Sequence, residues 1–353
     1  MFNLVNSGNA CAALRRGGFH PYVRLGATAD AQLADGVRFI ALRRGEQFTT
    51  PVPNQQISVL QGRVVPASGE RPLTPASTRA MPHALGGAGG SVVAETDSLV
   101  AIADSDFLDL VVSWDELARD AGETGGLVGE RMARLQHAIA FRRLPLECVL
   151  AALERMTLRR VVAGEEIFRQ GDAGDAFYTL WEGKAEVWQT GPYDDVPQLV
   201  AVREAGEAFG DEALVTGGTR NATVRMASNG ELLVLPRVDF LALVSRPLIQ
   251  EVDAAVAKSM LEARWLALDV RYPEEFEDAH IPGARLLPLG ELRERCDAEL
   301  SPEQSYVVVC LSGKRSAVGA LLLAQRGFRA VSLKNGLRDW EFGVESGAAE
   351  APA

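Results

Sequence analysis

Cysteine and histidine are scarce, at four residues each in a chain of 353. Cys11, Cys148, Cys296 and Cys310 include no Cys-x-x-Cys pair, and none stands near a histidine at metal-ligand spacing. That argues against a disulfide framework or a structural zinc, and no metal is expected. Free thiols suit a reducing compartment. Long apolar runs are missing too: no stretch reaches the roughly 20 residues a membrane-spanning helix needs. The N-terminus lacks the charged start and apolar core of a secretion signal, so a cytoplasmic protein is expected. Positive charge is in deficit, with 36 Lys and Arg against 47 Asp and Glu, a net charge of −11. Nucleic acids and anionic membranes reward basic surface, so neither is expected as a partner.

Apolar residues make up 47% of the chain, enough for a core in each of two or three domains. Short β-type runs with Gly and Pro turns mark residues from about 25 to 115, and a first domain is expected over 1–117. A polar, Gly-rich linker with a short helix is expected over 118–140. Residues 141–247 alternate strand-like runs with turns in the manner of a β-sandwich or jelly roll. A connecting helix is expected over 248–263, with Leu248, Val252, Val256 and Met260 on one face. It could cover a ligand, pair two chains into a homodimer, or pack on its own domain. Residues 264–345 have the strand–turn–helix–strand rhythm of a parallel sheet covered by helices. The Gly/Ala/Pro-rich tail, 346–353, is expected to be disordered.

The two β-rich segments resemble each other. Gly45-Glu46-Gln47-Phe48 parallels Gly164-Glu165-Glu166-Ile167-Phe168. Ile57–Gly62 parallels Tyr178–Gly183, and Asp106-Phe107-Leu108 parallels Asp239-Phe240-Leu241. A unit of this length implies a duplicated domain; chance likeness between β-rich segments is the alternative.

In the middle segment, Phe209-Gly210-Asp211-Glu212-Ala213-Leu214 precedes Arg220-Asn221-Ala222-Thr223. Gly210 allows close backbone approach to a ligand, and amides opening a helical turn favour an anion. Arg220 can clamp a phosphate, or form a structural ion pair. This segment resembles a cyclic nucleotide-binding domain, over about 100 residues. The resemblance implies cAMP or cGMP as an effector, with Arg220 as phosphate ligand and Gly210, Glu212 and Ala213 as the cassette backbone. It places Asp211 where the family has a ribose-binding Glu, and Asn221 and Ala222 facing phosphate and purine. The first segment has Arg79 but no such cassette, and reads as a degenerate copy. No helix-turn-helix follows the middle domain.

The third segment carries Val307-Val308-Val309-Cys310-Leu311-Ser312-Gly313-Lys314-Arg315-Ser316. An apolar strand ends at a cysteine, passes a Gly-containing loop and enters a helix. That puts the sulfur at a helix N-terminus beside Lys314 and Arg315, surroundings that favour a nucleophilic thiolate. A buried or regulatory thiol is the alternative. The loop is similar to the Cys-x-x-Gly-x-Arg loop of rhodaneses. Two further stretches carry the resemblance: Leu268–Arg271 with Ala279-His280-Ile281-Pro282-Gly283-Ala284, and Asn335-Gly336-Leu337-Arg338-Asp339-Trp340. It implies Cys310 as sulfur carrier, with Lys314 and Arg315 steering an anionic donor. Leu311, Ser312, Gly313 and Ser316 belong to the cradle. Asp269 and Arg271 take structural roles, and His280 and Trp340 packing roles. The related dual-specificity phosphatases use a loop one residue longer, so the spacing favours sulfur over phosphate.

The expected architecture is therefore two β jelly-roll domains, the first degenerate, ahead of an α/β rhodanese domain with a parallel sheet. The expected activity is sulfur transfer from thiosulfate or a persulfide to a thiol or cyanide. It needs no catalytic cofactor, and a cyclic nucleotide is the implied regulator. The alternative is a nucleotide-responsive adaptor or a redox- or sulfur-sensing binding protein.

Overall fold

The computed structural model describes residues 13–26, 29, 33–34, 36–50, 54–85, 90–123, 135, 138–191 and 196–347. Residues 1–137 and 138–353 form two compact units. Cys11, most of the expected 118–140 linker and residues 348–353 of the tail lie outside the described residues.

Among the described residues, the first unit holds seven strands: β1 (Val37–Leu42), β2 (Gln47–Thr49), β3 (Gln55–Gln61), β4 (Val64–Pro66), β5 (His83–Ala84), β6 (Ser91–Ala94) and β7 (Ser98–Asp104). They make two antiparallel sheets, ordered β1-β7-β3-β5 and β2-β6-β4. A short helix, α1 (Pro75–Arg79), is capped by Thr74, whose hydroxyl accepts from the Ser77 amide. Helix α2 (Ser105–Glu123) closes the unit. It runs past residue 117 into the stretch expected to be linker, because its apolar stripe of Leu108, Val111 and Trp114 stays buried and nothing in the next turn breaks the helix.

In the second unit, α3 (Leu146–Arg155) leads into β8 (Thr157–Val161), β9 (Glu166–Phe168), β10 (Ala176–Glu182), β11 (Ala185–Gln189), β12 (Gln198–Arg203), β13 (Ala208–Phe209), α4 (Asp211–Thr216), β14 (Thr223–Met226) and β15 (Gly230–Pro236). The sheets are β13-β10-β15-β8 and β12-β11-β14-β9. Alternation does the sorting: Tyr178 and Leu180 of β10 join the core between the sheets, while Phe177 stacks on Phe240 outside them. Strand order β8-β15-β10 repeats β1-β7-β3, and β9-β14-β11 repeats β2-β6-β4. Even the register shifts match, at Val59/Gln61 and Leu180/Glu182, each just before a glycine with positive φ.

Helix α5 (Arg237–Phe240) continues through a wider turn at Leu241–Ser245 to Arg246–Leu248. The expected helix over 248–263 is not continuous. Residues Glu251–Val252 are a strand, β16, and the helix α6 spans Ala254–Glu262. The reason is local: the Asp253 carboxylate accepts from the Val256 amide and so starts the helix there. The residues before it pair in parallel with the far end of the chain.

The remaining elements are β17 (Leu266–Asp269), α7 (Pro273–Asp278), β18 (Arg285–Leu286), α8 (Leu289–Glu299), β19 (Ser305–Val309), α9 (Lys314–Gln325) and β20 (Arg329–Leu333). They form a parallel sheet in the order β16-β20-β19-β17-β18. Successive residues of β17 and β19 serve opposite cores, Leu268 and Val308 on one face, Ala267 and Val307 on the other. A strand buried on both faces needs a continuous apolar run, which is what these two have. Helix α9 is buried along nearly its whole length because α4 of the β-roll and α8 both pack on it.

Candidate functional site

Cys310 follows the C-terminal end of β19 and is fully buried. The loop turns at Gly313, whose φ of 81° suits glycine; a Cβ there would meet the Asn335 nitrogen at 2.7 Å. Helix α9 then starts, and the Ser316 amide donates to Cys310 Sγ at 3.3 Å. The Ser316 hydroxyl lies 3.5 Å from the sulfur, donates to the Gly313 carbonyl at 3.0 Å and accepts from the Ser332 hydroxyl at 3.0 Å. From the other side, the amides of Leu337 and Arg338 donate to the carbonyls of Cys310 and Leu311. Asn335 stands in the left-handed region, φ 59°, which asparagine tolerates better than other side-chain-bearing residues.

The expected partners of the loop are placed as follows. Leu311 and Lys314 are exposed and Ser312 is half-buried. Arg315 does not lie open to an incoming anion: its Nη1 and Nη2 donate to the two Glu275 oxygens at 2.7 and 2.6 Å. That contact holds the Glu275 carboxyl below the usual glutamate range. Asp269 and Arg271 are both buried and paired in bidentate fashion, and Arg271 Nη2 also donates to the Ala279 carbonyl at 2.6 Å. His280 stacks on Phe276 with ring centroids 3.7 Å apart, and Trp340 packs in the core.

In the β-roll, the Arg220 side chain is 1% exposed. Its Nη1 donates to the Gly210 carbonyl at 2.6 Å, and its Nη2 to Asp175 at 2.9 Å and the Ala176 carbonyl at 2.7 Å. The guanidinium lies 4.2 Å from the Phe168 ring centre. Among the described residues its Nε is buried without a partner, a donor suited to an anionic oxygen such as that of a cyclic phosphate. Gly210, with φ 89°, has no room for a Cβ, which would sit 2.7 Å from Arg220 Nη1. Ala213 and Ala222 are buried, and Asn221 Nδ2 donates to Glu212 at 2.7 Å. Burial, then the neighbouring Asp211, push the Glu212 carboxyl up. Asp211 departs from expectation. Its carboxylate is paired with Arg293 of α8, so it is not presented to a ribose. The cause is the packing of α4 against α9, which brings α8 within reach of the short Asp211 side chain.

Residues 253–342 match the family described as rhodanese-like domain, and residues 158–246 match the cyclic nucleotide-binding domain. A Bacillus subtilis protein named "Putative sulfurtransferase YtwF" is 33% identical over 95 residues, covering 26% of this chain and 91% of the relative. The chain belongs to the rhodanese-like family. It also carries a cyclic nucleotide-binding domain. "Putative sulfur carrier protein YrkF" of B. subtilis is 43% identical over 74 residues, 21% of this chain and 40% of the relative. The "Cyclic AMP receptor protein" of Thermus thermophilus is 35% identical over 136 residues, 38% of this chain and 62% of the relative. The chain thus spans about half the length of these last two relatives. Among the described residues, no helix is long and apolar enough to cross a membrane.

Two contributors were invisible in the sequence motifs, as was the role of a third. Glu275, with Phe276, belongs to the stretch that resembles the rhodanese family, but nothing there says that it holds Arg315. Ser332 sits in an apolar strand with no cue that its hydroxyl reaches Ser316. Arg293 lies on a polar helix and reaches Asp211, 82 residues away in the chain, so no local pattern could announce it.

Proposed function

We propose that the rhodanese-like domain transfers sulfur through a persulfide on Cys310. The Cys310 thiolate attacks the outer sulfur of thiosulfate or a persulfide. The S–S bond breaks, and sulfite or a thiolate leaves with the electron pair. An acceptor thiol or cyanide then attacks the outer sulfur of the Cys310 persulfide and restores the thiolate. The observation that carries this reading is the Ser316 amide aimed at Cys310 Sγ from the first turn of α9. A fixed backbone donor at a helix N-terminus stabilises negative charge on sulfur without any reorganisation. The test is thiosulfate or persulfide turnover by the purified protein, compared with Cys310→Ser; equal rates would refute it.

One observation favours a second reading. Cys310 is wholly covered, so a donor reaches it only if its surroundings move. A sulfur- or redox-sensing module would need no fast turnover and tolerates such cover. Persulfide formation on Cys310 without multiple turnovers would select it.

The β-roll is proposed to bind a cyclic nucleotide, cAMP or cGMP, through Arg220 Nε and the amides opening α4. A bound nucleotide would act on the rhodanese domain through the α4–α9 packing and the Asp211–Arg293 pair, because α9 begins at the active loop. A ligand shifts only equilibria to which it binds unequally, so this coupling requires α4 to move on binding. The first unit is proposed to be a copy of the β-roll, on the strength of the shared strand order. Among its described residues no buried clamp appears: Arg79, its counterpart to Arg220, is exposed.

A further inference from the structure

The active loop carries two cations, Lys314 and Arg315, and they are not equivalent. Arg315 is engaged: its two terminal nitrogens each donate to one of the two oxygens of a single carboxylate, Glu275, in a bidentate pair. Its guanidinium also lies 5.8 Å from the ring centre of Tyr272, which is 64% exposed. Lys314 is exposed and makes no ion pair among the described residues. Beside the sulfur-bearing loop, then, one guanidinium is already neutralised by the Glu275 carboxylate. The exposed apolar groups beside it are Tyr272 and Leu311.

Thiosulfate and a persulfide place very different charge in such a site. Thiosulfate is a dianion whose sulfonate oxygens need donors. A small alkyl persulfide carries at most one negative charge, on its sulfur pair, and an apolar stem. We propose that Glu275, by occupying Arg315, selects a persulfide over thiosulfate as the sulfur donor. This rests on the sulfurtransferase reading above. The reaction is Cys310–S⁻ with R–S–SH, giving Cys310–S–SH and R–S⁻. The bond between the two donor sulfurs breaks, the outer sulfur keeps its proton, and the thiolate leaves with the electron pair. No oxidant or reductant is needed. Glu275 does not touch the reacting atoms; it is a specificity residue acting through Arg315.

The experiment compares kcat/KM for thiosulfate with that for the persulfide of 2-mercaptoethanol, on the full chain. Wild type should favour the persulfide. In Glu275→Gln the carboxylate charge is gone and the guanidinium can turn to the sulfonate. The thiosulfate-to-persulfide ratio should rise roughly tenfold or more, the scale set by removing one unit charge at short range. Glu275→Asp keeps the charge and should leave the ratio low. Adding Arg315→Gln to Glu275→Gln should remove the gain. The proposal is overturned if wild type prefers thiosulfate, if Glu275→Gln leaves the ratio unchanged, or if Glu275→Asp raises it equally. Sulfur addition to Cys310, followed by mass spectrometry, separates the two levels of the argument. No added sulfur from either donor in wild type refutes the sulfurtransferase reading itself. Added sulfur with an unmoved ratio refutes the role of Glu275 alone.

Discussion

Two buried side chains, Cys310 and Arg220, face opposite demands. Cys310 sits in the apolar core of its domain, but its polar contacts are a backbone amide and a hydroxyl, and serine is nearly its size. Cys310→Ser should therefore unfold at nearly the wild-type denaturant midpoint while losing all sulfur transfer; a midpoint shift and rate loss in step would mean the mutation merely unfolds the domain. Arg220 is different, because it satisfies the Gly210 and Ala176 carbonyls as well as offering its Nε. Arg220→Ala should weaken cyclic nucleotide binding on the order of a hundredfold, the value of a charge-assisted paired contact. It should also cost about 1–3 kcal/mol of stability, since it strands buried acceptors. Calorimetry on folded mutant protein separates the two effects, and unchanged nucleotide affinity would remove Arg220 from the site. Lys314 is the cation left to steer an anion. Its replacement by Ala should slow thiosulfate use more at low salt than at high salt.

At the scale of elements, the active loop is held by backbone geometry on both sides. Gly313→Ala forces a side chain into the left-handed region and against Asn335, so it should destabilise the loop by about 1–3 kcal/mol. Slower persulfidation with earlier thermal unfolding is the expected pair of readings. The α7–α9 contact through Glu275 and Arg315 predicts a pH dependence. The folded Glu275 carboxyl titrates below its ordinary value, so its contribution is fully present above about pH 4.3 and is lost as pH falls through the lower folded value. The stability gap between wild type and Glu275→Gln should accordingly close in acid, as urea unfolding at a series of pH values would show. Much of this level was legible in the sequence. The loop from Cys310 to Ser316, the turn at His280–Ala284 and the cassette from Phe209 to Ala222 are contiguous stretches whose geometry follows from local chemistry. What stayed hidden was non-local. The Asp211–Arg293 pair and the Ser332–Ser316 bond join residues brought together only by packing. The start of α6 was missed because Leu248 and Val252 keep helical spacing while Asp253 overrides it as a cap.

For the whole molecule, the β-roll and the rhodanese domain share one compact unit, so ligand binding to either should stabilise both. A saturating cyclic nucleotide should raise a single calorimetric transition of residues 138–353 rather than split it. Two separate transitions with only one shifted would contradict that. Strand β16 makes the dependence concrete. Glu251 and Val252 sit immediately after the β-roll in sequence, yet they cover the outer edge of the last strand of the rhodanese sheet. The Gln250 and Val252 carbonyls take the Ser332 and Lys334 amides at 2.8 and 2.9 Å. A chain begun at residue 264 would therefore leave that edge bare and prone to pairing with another copy. It should aggregate faster than one begun at residue 249, which keeps that edge covered, as light scattering would show. The seam between the two domains is thus not a place where the gene could be cut and rejoined freely. Any ancestral fusion had to bring this short strand with the sulfur-carrying half, or recruit one from the linker. Recombination that respects only the recognisable motifs would yield halves that fold badly apart.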